Sequence, residues 1–175
     1  ANGQIDLGNL YLRGDQFDRA EPVFRRALDI ARRAKVRRIE ARAALALGSL
    51  LEQTSRAREA KPLVEAGLTF YRQAGYRRES VQAAAVLGGL HRQLGDSGEA
   101  IKVLTEALPH AAQLRDLRLE AQIRERLALF HTSVLKTRIR RPGRSTRSHN
   151  ASRRKVGTVS RKTGAFAQES GAKPR

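Results

Sequence analysis

A step of 40 residues runs through most of this chain and constrains its fold more than any other feature. Leu7-Gly8, Leu47-Gly48 and Leu87-Gly88 recur at that interval. It also relates Ala20, Ala60 and Ala100, then Phe24, Val64 and Leu104, then Ala27, Gly67 and Ala107, then Leu28, Leu68 and Leu108. Within each unit the apolar residues return at three- and four-residue steps, the period of an α-helix. Small residues at columns 8, 20 and 27 let two antiparallel helices approach closely, and the large ones at columns 7, 24 and 28 fill the space between them. Each unit is therefore a helical hairpin that completes its core by stacking on the next.

The register predicts helices over 2–13, 17–34, 38–53, 57–73, 78–94, 98–114 and 118–136, which is three hairpins and one further helix. Between the helices of each unit stand Gly14-Asp15, Thr54-Ser55 and Gly95-Asp96, where Gly is expected to end one helix and Asp or Ser to cap the next. Leu127-Ala128 continues the step, but Arg140 stands where a small residue should follow the next turn, so the fourth unit stops halfway. Leu119, Ile123, Leu127 and Phe130 give the last helix an apolar stripe that suits a cap over the final hairpin. The organisation expected is an array over 1–137, with repeats at about 1–37, 38–77 and 78–117 and a half repeat at 118–137, followed by a tail over 138–175.

These columns resemble the tetratricopeptide repeat family. Leu7, Gly8, Tyr11, Phe17, Ala20, Phe24 and Ala27 all fall in its register. Leu10-Tyr11-Leu12 with Ala20-Glu21-Pro22, repeated at Pro62, is similar to the kinesin light chain type, and the 40-residue step to a long-repeat branch that includes bacterial regulatory proteins. Leu51, His91 and His131 replace the aromatic of Tyr11, and the family's helix-ending proline is missing. The resemblance implies an all-α, right-handed superhelical solenoid whose first helices line a concave, peptide-binding groove. Its columns 2, 5, 9, 12 and 13 carry that wall over to Asn2, Ile5, Asn9, Leu12 and Arg13; to Arg42, Leu45, Ser49, Glu52 and Gln53; and to Gln82, Ala85, Gly89, Arg92 and Gln93. The residues expected to meet a peptide are Asn9, Arg13, Arg42, Ser49, Gln53, Gln82, Arg92 and Gln93. Ile5, Leu45 and Ala85 stand where the chaperone-binding members carry a carboxylate-clamping Lys, so that ligand does not fit. Scattered Arg gives the wall a mild preference for acidic partners.

A second set of cations keeps the same step: Arg38, Arg78 and Arg118, which form a basic edge at the openings of successive first helices. Glu40, Glu79 and Glu120 lie within two residues and are expected to pair with them locally. An acidic-partner ridge is the alternative.

The formal charge of +18 is unevenly placed. Residues 1–137 hold 23 Lys and Arg against 16 Asp and Glu, whereas 138–175 hold 12 against Glu169 alone. The tail is rich in Arg, Ser and Gly, has few large apolar residues, and is expected to be disordered. It is a solvated tail, a non-specific contact for nucleic acid or another polyanion that weakens steeply with salt, or the product of a misplaced gene end. Phe166 is alone, so no base-stacking series exists.

Cysteine is absent, which excludes disulfides, thiol nucleophiles and zinc–thiolate sites. Of the four His, His91 and His131 sit in a packed column, and His110 and His149 are isolated. Gly88-Gly89 falls inside a helix and forms no phosphate loop. No metal, cofactor or catalytic site is expected, and no membrane span. The chain reads as a cytoplasmic scaffold that binds a protein or peptide, and as a piece of something longer because it opens within a helix without Met. A regulatory segment of a larger signalling protein and nucleic-acid association through the tail are the alternatives.

Overall fold

The structure, a computed structural model, describes the backbone of residues 1–140 and the side chains of residues 1–130. The tail expected over 138–175 lies outside the described residues from 141 onward. Seven helices and no strand occur among the described residues: α1 (Asn2–Arg13), α2 (Phe17–Arg33), α3 (Arg37–Gln53), α4 (Ala57–Gln73), α5 (Arg77–Leu94), α6 (Ser97–Gln113) and α7 (Leu117–Arg140). The hydrophobic register places every helix, and only α7 runs appreciably past its expected end.

The small columns do what their size suggests. A Cβ added at Gly8 would strike the ring of Phe24, one at Gly48 would strike Val64, and one at Gly88 would lie 2.6 Å from Leu104 Cγ. Phe24, Val64 and Leu104 are each fully buried, a burial worth about 1.5–3 kcal/mol per side chain. Close approach of the paired helices thus depends on column 8 having no side chain. The large column behaves differently at its first member. Leu47 and Leu87 are buried, but Leu7 is 42% exposed. The hairpin of α1 and α2 covers α3, and that of α3 and α4 covers α5, while α1 packs only on α2 and α3. Leu7 therefore does not fill the core as expected.

Six turns join the helices, and they share one feature. One residue in each takes the left-handed conformation, at Asp15, Lys35, Ser55, Gly75, Gly95 and Arg115, one every 20 positions (φ 53° to 83°). In five of the six the next amide reaches back to a carbonyl five residues earlier, as from Gln16 to Tyr11 at 2.9 Å, Arg56 to Leu51 at 2.8 Å and Asp96 to His91 at 2.9 Å. The expected division of labour is corrected here. Gly14 has φ −95° and Asp15 carries the left-handed turn instead, and no side chain caps α2, α4 or α6. Asp15 and Ser55 are occupied in ending one helix, so they cannot cap the next. Asp96 stands with its carboxylate 3.6 Å from the buried His91 ring. A cap does form at the start of α7, where Asp116 Oδ1 accepts from the Leu119 amide at 3.1 Å.

Backbone approach is asymmetric between the two layers. The first helices contact one another in order, α1 with α3, α3 with α5 and α5 with α7, whereas α2, α4 and α6 make no such approach. Tight spacing on one side and wide spacing on the other bends the array, with the first helices on the inner wall. The second helices are linked by charge instead. Arg25 of α2 pairs with Glu21 at 2.7 Å and with Glu59 of α4, and Arg56 pairs with Glu21 at 2.7 Å and Glu59 at 2.6 Å. Burial alone would raise the Glu21 carboxyl, but hydrogen bonds from Arg56 and Arg25 outweigh it and hold Glu21 below its ordinary range. The hydrogen bond from Arg25 lowers Glu59 likewise. The last helix seals its end through Leu119, Ile123 and Phe130, all buried.

Candidate functional site

Three consecutive first helices open their N-terminal turns onto one groove of about 670 Å³. Asn2 comes from α1, Arg38, Arg42 and Leu45 from α3, and Arg78, Glu79 and Gln82 from α5, with Tyr71 of α4 behind them. Two sets of residues that the sequence separates, the concave wall and the basic edge, therefore meet in one place. Helical spacing explains it: Arg38, Arg42 and Leu45 lie at four- and three-residue steps on one face of α3, and the 40-residue step sets Arg78 and Gln82 beside them on α5.

Each of the three guanidinium groups meets a residue outside its own helix. Arg42 donates to Asp6 Oδ1 at 2.6 Å and to Asn2 Oδ1 at 3.3 Å. Arg78 donates to Asp116 Oδ2 at 2.6 Å. Arg38 makes no ion pair with a described residue and lies over the Tyr76 ring, 4.9 Å from its centroid. The expected local pairing is thus replaced. Glu40 takes Arg32 at 3.2 Å, Glu120 takes Arg124 at 2.5 Å, Arg78 of the basic edge takes Asp116 at the far end of its own unit, and Arg42 takes Asp6 of the preceding unit. Adjacent residues on a helix point about 100° apart, so closeness in sequence does not bring Arg78 and Glu79 into a pair. Burial pushes the Tyr71 hydroxyl up to about 12, aided by the charge of Glu79, so it stays protonated.

Farther along the same wall an ion pair lies across α5. Glu52 of α3 and Arg126 of α7 meet across α5 at 2.5 Å, with only 12% and 23% of their side chains exposed. Arg126 also donates to the Ala85 carbonyl at 2.9 Å, and Gln93 Nε2 donates to the Glu52 carbonyl at 2.6 Å. The pair crosses α5 at Gly89, where an added Cβ would collide with both Glu52 Oε1 and Arg126 Nη1. Ile5 and Ala85 are buried, so they form the floor of the wall rather than its surface.

Of the residues expected to meet a peptide, Arg42 and Gln82 line the groove, joined by Arg38 and Arg78 of the basic edge. Ser49 turns its hydroxyl back to the Leu45 carbonyl at 3.0 Å, and Gln93 is engaged with Glu52. Asn9, Arg13, Gln53, Arg92 and Arg118 stand elsewhere on the first helices and α7, outside the groove. Sequence reasoning missed Arg126, Tyr71 and Tyr76. Gly89 was the available signal: its column holds Asn9 and Ser49 in the other units, and a side chain lost from a polar wall marks a place where something crosses.

Among the described residues no group of three His, Asp or Glu side chains is placed to hold a metal ion, and no helix is long and apolar enough to cross a membrane. Two family models, each described as the tetratricopeptide repeat, match residues 1–73 and residues 81–108. A comparison with curated proteins finds no match.

Proposed function

The chain belongs to the tetratricopeptide repeat family, a family of protein-interaction scaffolds, and from that premise we propose that it binds an extended acidic peptide in the groove between α1, α3 and α5. The convergence of Arg38, Arg42 and Arg78 on one open groove carries this reading. Arg42 and Arg78 are 47% and 64% exposed and use only part of their five-donor forks on Asp6 and Asp116. Such exposed pairs contribute little to stability, about 0–1 kcal/mol. They instead fix the guanidinium groups in position, which lowers the ordering cost when a ligand carboxylate arrives. Asn2 and Gln82 offer amide groups to a peptide backbone on the same wall, and Leu45 offers an apolar contact.

Fluorescence anisotropy with a labelled hexaglutamate peptide tests the proposal, with hexalysine as the opposite-charge control. Hexaglutamate binds and hexalysine does not. Arg38→Gln and Arg78→Gln each weaken hexaglutamate about three- to tenfold through loss of a charge-assisted contact, and Arg118→Gln leaves it unchanged. The basic residues beyond 142 attract polyanions too, so the series is repeated with residues 143–175 removed. Unchanged affinity in the triple Arg38, Arg42 and Arg78 variant of that shortened chain rejects the groove.

A further inference from the structure

We propose that a second cleft, lined by α2, α3 and α4 on a different face of α3 from the groove, binds a small molecule with an apolar body and one carboxylate. Its volume is about 380 Å³, within the range of small-ligand sites. Ala41 and Ala44 of α3 form one side, Leu63, Gly67 and Phe70 of α4 form the other, and Arg37 stands at the mouth. The proposal is independent of the peptide reading, because the two sites share no residue.

The third unit does not repeat the lining of this cleft. Forty residues on, Ala41 is replaced by Val81, Gly67 by Ala107, the lining Ala66 by Glu106 and Phe70 by His110. Each change adds bulk or polarity where the second unit has space. The missing side chain at Gly67 is no packing necessity either. A Cβ there would meet only the Ala41 carbonyl, at an ordinary 3.5 Å, unlike the collisions at Gly8, Gly48 and Gly88. The space therefore is not demanded by the approach of α3 and α4.

Charge selects the class of ligand. Glu40 at the rim is neutralised by Arg32 at 3.2 Å, and Arg37 makes no ion pair with a described residue, so the mouth carries an excess of one positive charge over an apolar floor. A carboxylate would take Arg37 while its hydrocarbon body displaces water from Leu63 and Phe70.

Titration of the full chain with 3-phenylpropionate, followed by NMR, tests this. The expected result is a saturable shift of the Gly67 amide and the Ala44 methyl. The uncharged 3-phenylpropan-1-ol should bind about tenfold more weakly, and Arg37→Gln should abolish that difference. Gly67→Leu fills the cleft and removes binding. Gly67→Ala, the residue type already present at Ala27 and Ala107, keeps the fold and weakens binding several-fold. Shifts confined to the Arg38, Arg42 and Arg78 groove overturn the proposal. So does unchanged binding in Gly67→Ala, or equal affinity for acid and alcohol.

Discussion

The two halves of the inner wall are built from the same repeat and reach opposite states. Toward the N-terminus, Arg38, Arg42 and Arg78 frame an open groove, with Asp6 holding Arg42 and Asp116 holding Arg78. Toward the C-terminus, Glu52 and Arg126 close over α5 at Gly89. The difference arises at a few positions. Asn9 and Ser49 become Gly89, so a carboxylate one unit back and a guanidinium one unit on can meet across the helix between them. An exposed cation pair is a place for exchange with a ligand, whereas a largely buried pair with extra hydrogen bonds is structural.

Gly89→Leu tests this contrast hardest. The new side chain drives Glu52 and Arg126 apart and should cost about 3 kcal/mol or more, read as a lower thermal midpoint. Wild-type stability in that variant would mean that the pair does not cross at Gly89. Arg126→Ala leaves the Glu52 carboxylate poorly hydrated and unpaired, at a cost of about 2–3 kcal/mol. Hexaglutamate affinity should stay within about twofold, since the open half is untouched. A large change in peptide binding would show that the halves are not separate.

Acid should loosen the two ends of the outer wall unequally. The folded-state carboxyls of Glu21 and Glu59 lie below their ordinary value of 4.5. Their network therefore stabilises fully above that pH and is lost as pH falls through the depressed values. Between α4 and α6 the corresponding link is Arg72 to Glu106, at 3.4 Å and half exposed. Hydrogen exchange at low pH should speed first in α2 and α4 relative to neutral pH, and the stability gap between wild type and Arg56→Gln should be full at pH 7 and vanish under acid. A gap independent of pH would exclude the network as its source.

The smallest effect concerns a feature common to both halves. Lys35 holds a left-handed conformation at φ 55° in the same role as Gly75 and Gly95. Lys35→Gly should stabilise by about 0.5–1 kcal/mol, measured by denaturant unfolding. Loss of stability there would show that the turn is not strained.

Much of the architecture is legible without coordinates. Column 8 against column 24 states the packing of each hairpin, because a residue without a side chain opposite a large apolar one has few other uses at helical spacing. Leu119, Ile123 and Phe130 announce the cap for the same reason. Leu7 misleads because a column records a residue's place within its unit and not whether a neighbour covers it. The turn residues mislead in another way. Asp15 and Ser55 suit either the end of one helix or the start of the next, and only the chain path decides between the two.

The site divides along the same line. Arg42 and Gln82 are readable as wall positions, and Arg38 and Arg78 as a periodic edge. Their union in one groove depends on how far α3 and α5 approach, a distance that side-chain volumes across the whole interface set together.

The chain's periodicity by itself determined the helices of the array and their pairing, since both follow from spacing along the sequence, whereas the inward-facing layer was implied by the family resemblance. Which charges meet was decided only by the fold. Asp6 with Arg42, Arg78 with Asp116 and Glu52 with Arg126 are separated by 36, 38 and 74 positions, and the attraction between such residues depends on distances that exist only once the hairpins have stacked.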